Sequence, residues 1–242
     1  MQPITKTVLI TGSTRSIGLA LAKYYANANW NVIGTARANS STDQLKALSP
    51  SKIVTLDTSD EASIFEAAQQ LKDVPIDLLM NNAGLWIHGD FMSSSKEDMM
   101  RHYEVNTVGP FLTTRALLPN LKLAAQTNGA AYVAQLNTTL GSISNNTPKM
   151  EAFFSKAFGY TASKAALNMV TRSMAVSLRK SNIGLVTINP GYVSTDMTNH
   201  KGYLKPSESA EAMANILANL TLKDSGKFLN SDKKIRAIEL PW

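Results

Sequence analysis

The 242-residue chain predicts an α/β fold: one domain, with a doubly wound parallel sheet of about seven strands and helices on both faces. Three observations carry that prediction. Short apolar, β-branched runs alternate with longer helical patterns almost from end to end, as right-handed βαβ crossovers require. Several runs are apolar throughout, as befits parallel strands covered on both faces. The turn Thr11-Gly-Ser-Thr-Arg-Ser-Ile-Gly18 sits directly between the first run and the first helical pattern.

Taken in order, Thr7–Thr11 reads as the first strand and Ile17–Ala28 as the first helix. Strands follow at Asn31–Ala36 and Lys52–Leu56, then a helix at Asp60–Leu71 and a strand at Asp77–Asn81. A long helical pattern, Lys96–Ala125, opens with Ser95 and Asp98 at capping-box spacing. Gly109-Pro110 kinks or interrupts it, since proline has no N–H to donate. Ala130–Leu136 and Gly184–Asn189 are strands on either side of the helix Tyr160–Ser181. Two segments, 142–159 and 196–206, break the alternation. Both follow strand C-terminal ends, where open α/β sheets place their ligands, so they are expected on the substrate side.

Composition narrows the function classes. A hydrophobic fraction of 44% and a charged fraction of 17% suit a globular protein with a sizeable core. No apolar run approaches a membrane span, and Val8-Leu9-Ile10 is too short for the apolar segment of a signal peptide. Without cysteine there is no disulfide, thiolate metal site or cysteine nucleophile, and the cytoplasm is the expected compartment. The net charge is +6, yet basic residues are scattered, their longest run being two residues, as at Lys233-Lys234. With only 7% aromatic residues, a nucleic-acid partner is not expected; a polyanionic cofactor accounts better for the excess.

The glycine turn is built for phosphate. Gly12 permits the tight bend and Gly18 lets helix and strand pack closely, while the helix start offers unpaired N–H groups to a pyrophosphate. An ordinary βα turn needs glycine too, and position 16 of the dinucleotide fingerprint holds Ser16, whose Cβ crowds the phosphates. The second strand ends at Arg37 with no acid present; an acid there usually grips the ribose 2′-hydroxyl of NAD. Arg15 and Arg37 together form a candidate clamp for a 2′-phosphate, which favours NADP(H) over NAD. Asp57 is placed either to accept from the adenine amino group or to cap the following helix.

Tyr160-Thr-Ala-Ser-Lys164 puts a phenol and an ammonium on one helix face, one turn apart. A nearby cation favours the phenolate, so such a tyrosine passes protons near neutral pH. The chain thereby resembles the short-chain dehydrogenases/reductases over nearly its whole length, in particular the branch of C-factor and sniffer-type carbonyl reductases. Its motifs run in that family's order: Thr11–Gly18, Asp57, Asn81-Asn-Ala-Gly84, Asn106, Tyr160 with Lys164, and Asn189-Pro-Gly-Tyr-Val-Ser-Thr195. Gly191–Met197, Ser163–Asn168 and the ending Pro241-Trp242 are similar to that branch.

The resemblance implies a Rossmann-type domain and an NADPH-dependent oxidoreductase that reduces an aldehyde, ketone or quinone. Tyr160 would donate the proton. Lys164 would hold the nicotinamide ribose and lower the Tyr160 pKa, and Asn106 would hold a relay water. The cofactor would lie along Gly12, Ser13, Thr14, Arg15, Ser16, Ile17 and Gly18. It would continue past Arg37, Asp57 and Thr58, then Asn82, Ala83 and Gly84, and end at Pro190, Gly191, Val193 and Thr195. The family's serine falls on Thr138, counted back three residues from Gly141, with Thr139 and Ser142 as alternatives. No metal is expected. A homodimer or homotetramer paired through the two long helices is. Trp86, Phe153, Phe154, Phe158, Tyr192, Met197, Tyr203 and Leu204 are candidates for an apolar pocket mouth. Since Ser16 and Thr138 depart from the pattern, an NADP(H)-binding sensor with little turnover stands as the alternative.

Overall fold

The computed structural model describes residues 5–242. Seven parallel strands form one sheet in the order β3-β2-β1-β4-β5-β6-β7. They are β1 (Thr7–Ile10), β2 (Asn31–Ala36), β3 (Lys52–Thr55), β4 (Leu78–Asn81), β5 (Ala131–Leu136), β6 (Ile183–Asn189) and β7 (Phe228–Asn230). The order reverses between β1 and β4, so their C-terminal ends open a crevice at the switch point. Alternation along a strand divides the core: Val8 and Ile10 face one layer while Leu9 faces the other. The first layer packs on α1 (Ser16–Asn27) and α9 (Pro206–Ala218); the second on α3 (Glu61–Gln70), α6 (Leu118–Asn128) and α8 (Phe158–Leu178).

All six expected strands are present, with ends differing by a residue or so. The long helical pattern is broken twice. It begins as α4 (Lys96–Tyr103), where the Ser95 Oγ accepts from Asp98 N at 3.0 Å and completes the capping box. It then widens into a π turn, Glu104–Val108, before α5 (Gly109–Ala116). Pro110 falls in the first turn of α5, where its missing N–H costs nothing. Gly109 fits because a Cβ there would lie 2.3 Å from the Thr58 carbonyl oxygen. The second break, at Leu117, precedes Pro119 in α6 and was not read from the sequence.

Four further elements stand outside the alternation expected from sequence: α2 (Asp43–Lys46), α7 (Glu151–Phe154), α9 and β7. The short lengths of α2 and β7 leave little periodic signal. Helix α9 starts at Pro206, the last residue of a segment expected to be irregular. Glu208 secures that start by accepting from Lys205 N at 2.7 Å.

Candidate active site

The glycine turn is held from below. Ser13 is fully buried, its Oγ accepting from Thr35 N at 2.8 Å and donating to Thr35 O at 3.2 Å. From the other side, Asn82 Nδ2 donates to the carbonyls of Thr11 (2.8 Å) and Gly12 (3.1 Å). Gly12 takes φ +64°, and a Cβ on Gly18 would lie 2.2 Å from the Gly12 carbonyl oxygen. Both glycine roles therefore stand. Ser16 occupies the left-handed region at φ 49°, a conformation that glycine adopts without cost. No side chain caps the start of α1, which leaves its first N–H groups to the groove above.

That groove, about 640 Å³, runs along the C-terminal ends of the strands. Thr14, Arg15, Ser16, Ile17 and Gly18 line it with Gly12 beside the glycine turn, and Arg37, Asp57 and Thr58 line the end where the adenosine is expected. Asn82, Ala83 and Gly84 lie midway; Tyr160, Lys164, Pro190 and Thr195 close the far end. A dinucleotide fits these residues, given the uncapped helix start, the close Gly12–Gly18 approach and the elongated shape.

Five expected residues stand off this wall, Asn106 among them. Ser13 anchors the turn from beneath. Gly191, at φ +83°, packs against Leu204 and Asp232. Val193 is buried, and its carbonyl accepts from Thr198 Oγ1 at 2.7 Å. Thr138 sits at the start of the single turn Thr139–Gly141, its Oγ1 accepting from Leu140 N at 3.3 Å. Its own O–H hydrogen is thereby left to donate elsewhere. Ser142 is buried within the same turn, with its Oγ accepting from Asn145 N at 3.2 Å.

At the adenosine end, Asp57 is not the helix cap, a role taken by Asp60 for Ala62 N. Its Oδ1 is engaged by Ser59 through N (2.9 Å) and Oγ (2.7 Å). Desolvation works against the Asp57 charge, but the Ser59 bonds and the nearby Arg37 outweigh it and lower the carboxyl pKa. Arg15 reaches across the groove to Asp196 at 3.2 Å, and Asp196 also meets His200 Nε2 at 3.2 Å. Both members of the Arg15–Asp196 pair are well exposed, so the bond contributes at most about 1 kcal/mol and yields readily to a stronger anion.

At the catalytic end, Lys164 Nζ donates to the Leu136 carbonyl at 2.7 Å and lies 6.0 Å from the Tyr160 ring centroid. Both residues are buried. Burial pushes the Lys164 ammonium down to about 8 and raises the Tyr160 phenol above its ordinary value. The direction of the Tyr160 shift is set by its burial. Asn106, in the π turn, donates from Nδ2 to Leu85 O (2.8 Å) and Ser163 Oγ (3.0 Å), and its Oδ1 accepts from Leu85 N (2.8 Å). Both amide hydrogens are committed, so a relay water has only a lone pair of Oδ1 or the π-turn backbone to use.

Two buried features escaped the sequence. Asn137 Nδ2 donates to Lys164 O (2.9 Å) and to Asn168 Oδ1, while Asn168 Nδ2 donates to Gly141 O (3.0 Å). This clamp fixes the turn carrying Thr138 against the helix carrying Tyr160. His102 accepts from Ile87 N at Nε2 (2.9 Å) and meets Asp98 O at Nδ1 (2.8 Å), and burial holds its pKa down. A lone histidine and two scattered asparagines leave no pattern to read. The aromatic candidates divide as well. Phe154 and Phe158 line a separate cavity of about 670 Å³ that Tyr160 does not border, whereas Trp86 stacks on Tyr160.

A glycine-turn first crossover with an uncapped helix start and a buried Tyr–Lys pair at the sheet's C-terminal edge are features of an α/β oxidoreductase. The short chain dehydrogenase family model matches residues 6–203, and the chain belongs to that family. It is 35% identical to the C-signal protein of Myxococcus xanthus over 172 residues, covering 69% of this chain and 93% of that one. Among solved structures, an NADPH-bound carbonyl reductase from chicken fatty liver superposes with a TM-score of 0.88 at 34% identity, over 98% of this chain and 99% of that one. The carbonyl reductase Sniffer of D. melanogaster gives 0.87 at 28% identity, over 98% and 100%. Among the described residues, no helix is long and apolar enough to cross a membrane, and no group of three or more His, Cys, Asp or Glu is placed to hold a metal.

Proposed function

We propose that this protein is an NADPH-dependent reductase of aldehydes, ketones or quinones, with Tyr160 as proton donor. The observation that carries this reading is the groove itself: a buried Tyr160–Lys164 pair closes one end, and Arg37 stands at the other. A reduced nicotinamide, when bound, supplies the hydride. Gly12, the start of α1 and Arg37 would hold the phosphates, and Arg15 would leave Asp196 for the 2′-phosphate. Thr138 Oγ1 and Tyr160 Oη donate to the substrate carbonyl oxygen, where negative charge develops. Tyr160 then releases its proton to that oxygen. Lys164, held by Leu136 O, orients the ribose and returns the proton.

Segments 142–159 and 196–206 form the substrate side. The protein assembles as a homodimer or homotetramer through α4–α6 and α8; Val108, Met169 and Val176 leave an exposed apolar strip there. A second reading, an NADP(H) sensor with little turnover, is favoured by the strained Ser16 and by Thr138. Following loss of reduced-nicotinamide absorbance with NADPH or NADH and a panel of carbonyls tests both. Turnover preferring NADPH supports the reductase. Tight binding of NADPH without turnover supports the sensor.

A further inference from the structure

Trp86 is held in place more thoroughly than a residue at a pocket mouth requires. Its preceding neighbour Leu85 is gripped at both N and O by the buried Asn106 amide, and its following neighbour Ile87 by the buried His102 imidazole. The result is an indole lying flat on the Tyr160 phenol, with centroids 5.1 Å apart and planes 14° from parallel. His88 leans on the indole at 5.0 Å. The Nε1–H of Trp86 is out of contact with solvent, and among the described residues it has no hydrogen-bond acceptor. A buried donor left in this way is costly, so the site is built for an acceptor that the protein does not itself provide.

The other buried polar atoms without partners do not share this setting. Asn81, Gln135 and Thr187 are register neighbours across β4, β5 and β6, and Thr113 lies in α5. Carbonyl acceptors and hydroxyl donors are both present among those four residues. Among the described residues, Trp86 is the single such donor stacked on the Tyr160 ring.

We infer that Trp86 is a specificity-determining residue: its N–H receives a second hydrogen-bond acceptor on the substrate while Tyr160 engages the reacting carbonyl. The favoured substrates are flat, conjugated carbonyl compounds carrying a further carbonyl, ester or similar acceptor. The inference rests on the reductase reading for which end of the groove receives substrate. The indole also restricts the phenol to one orientation, so its ring and its N–H have separable roles. Trp86→Phe keeps a flat, smaller ring on Tyr160 and removes the donor, and paired aldehydes cancel the common effect of the lost ring area.

The test uses aromatic aldehydes paired so that one member carries an acetyl group and the other an ethyl group at the same ring position. Comparing each pair in wild type and Trp86→Phe cancels the intrinsic reactivity of the aldehydes. The loss of kcat/KM on substitution is expected to be about three- to tenfold larger for the acetyl member. In wild-type protein with NADP+, the indole N–H resonance of Trp86 is followed by NMR and assigned by replacing Trp30, Trp86 and Trp242 in turn. That resonance is expected to move with the acetyl aldehyde and not with the ethyl one. Equal kinetic losses, or a Trp86 resonance that responds alike to both, would overturn the inference even if NADPH turnover is robust. Discrimination by the resonance without any turnover would sustain it and sink the reductase reading instead.

Discussion

Ser16→Gly isolates the most unusual backbone position in the phosphate turn. Ser16 holds φ 49°, where a residue with a Cβ pays about 1–2 kcal/mol that glycine does not. Glycine gives back roughly 0.4–1 kcal/mol through its freer unfolded chain. The folded protein should therefore gain about 0.5–1 kcal/mol, or about 1–4 °C in Tm for a domain of this size. The same substitution clears the Cβ from the groove wall where a pyrophosphate would lie. Thermal unfolding of wild type, Ser16→Gly and Ser16→Ala, with NADPH titrated into each, separates the two effects. Ser16→Gly should raise Tm and tighten NADPH binding; Ser16→Ala, which keeps the Cβ and the strain, should do neither. A lower Tm for Ser16→Gly, or equal behaviour of the two variants, refutes the argument.

Arg37→Asp should weaken NADPH binding about 10- to 100-fold and leave NADH within a few-fold, as loss of a charge-assisted phosphate contact requires; equal losses in titrations of both nucleotides contradict the clamp. Asn168→Ala unpins the Thr138 turn from α8, so kcat should fall at least tenfold with little change in NADPH affinity; a purely cofactor-binding defect in steady-state kinetics would contradict that role. Lys164 has a folded-state pKa near 8 against 10.5 when unfolded, so the folded protein binds fewer protons between those values and gains stability as pH rises through that window. Lys164→Met removes this dependence, up to about 3 kcal/mol. Tm of wild type should thus rise relative to Lys164→Met from pH 7.5 to 10, and a pH-independent difference would contradict the burial of that charge.

Much of this architecture was legible because its signals are local. β-Branched runs without alternation mark strands covered on both faces, and Gly12 and Gly18 mark a turn where backbone meets backbone closely. The motif residues of the groove were legible through the family resemblance. What was hidden depends on tertiary packing. Nothing along the chain says that Ser13 points down to Thr35, or that Thr198 Oγ1 occupies the Val193 carbonyl. Spacing places the Lys164 cation one turn from Tyr160, while the burial that raises the phenol cannot be counted along a helix. The Asn137–Asn168 clamp and the gripping of residues 85–87 by Asn106 and His102 join positions far apart in sequence, and isolated polar residues carry no period.

The central claim is that Tyr160 delivers the proton in carbonyl reduction. Single-turnover reduction by Tyr160→Phe, with NADPH affinity measured on the same sample, tests it most directly. The account predicts a rate lower by about 10²–10⁴-fold with NADPH affinity within about twofold of wild type. A variant that keeps most of the wild-type rate would contradict it.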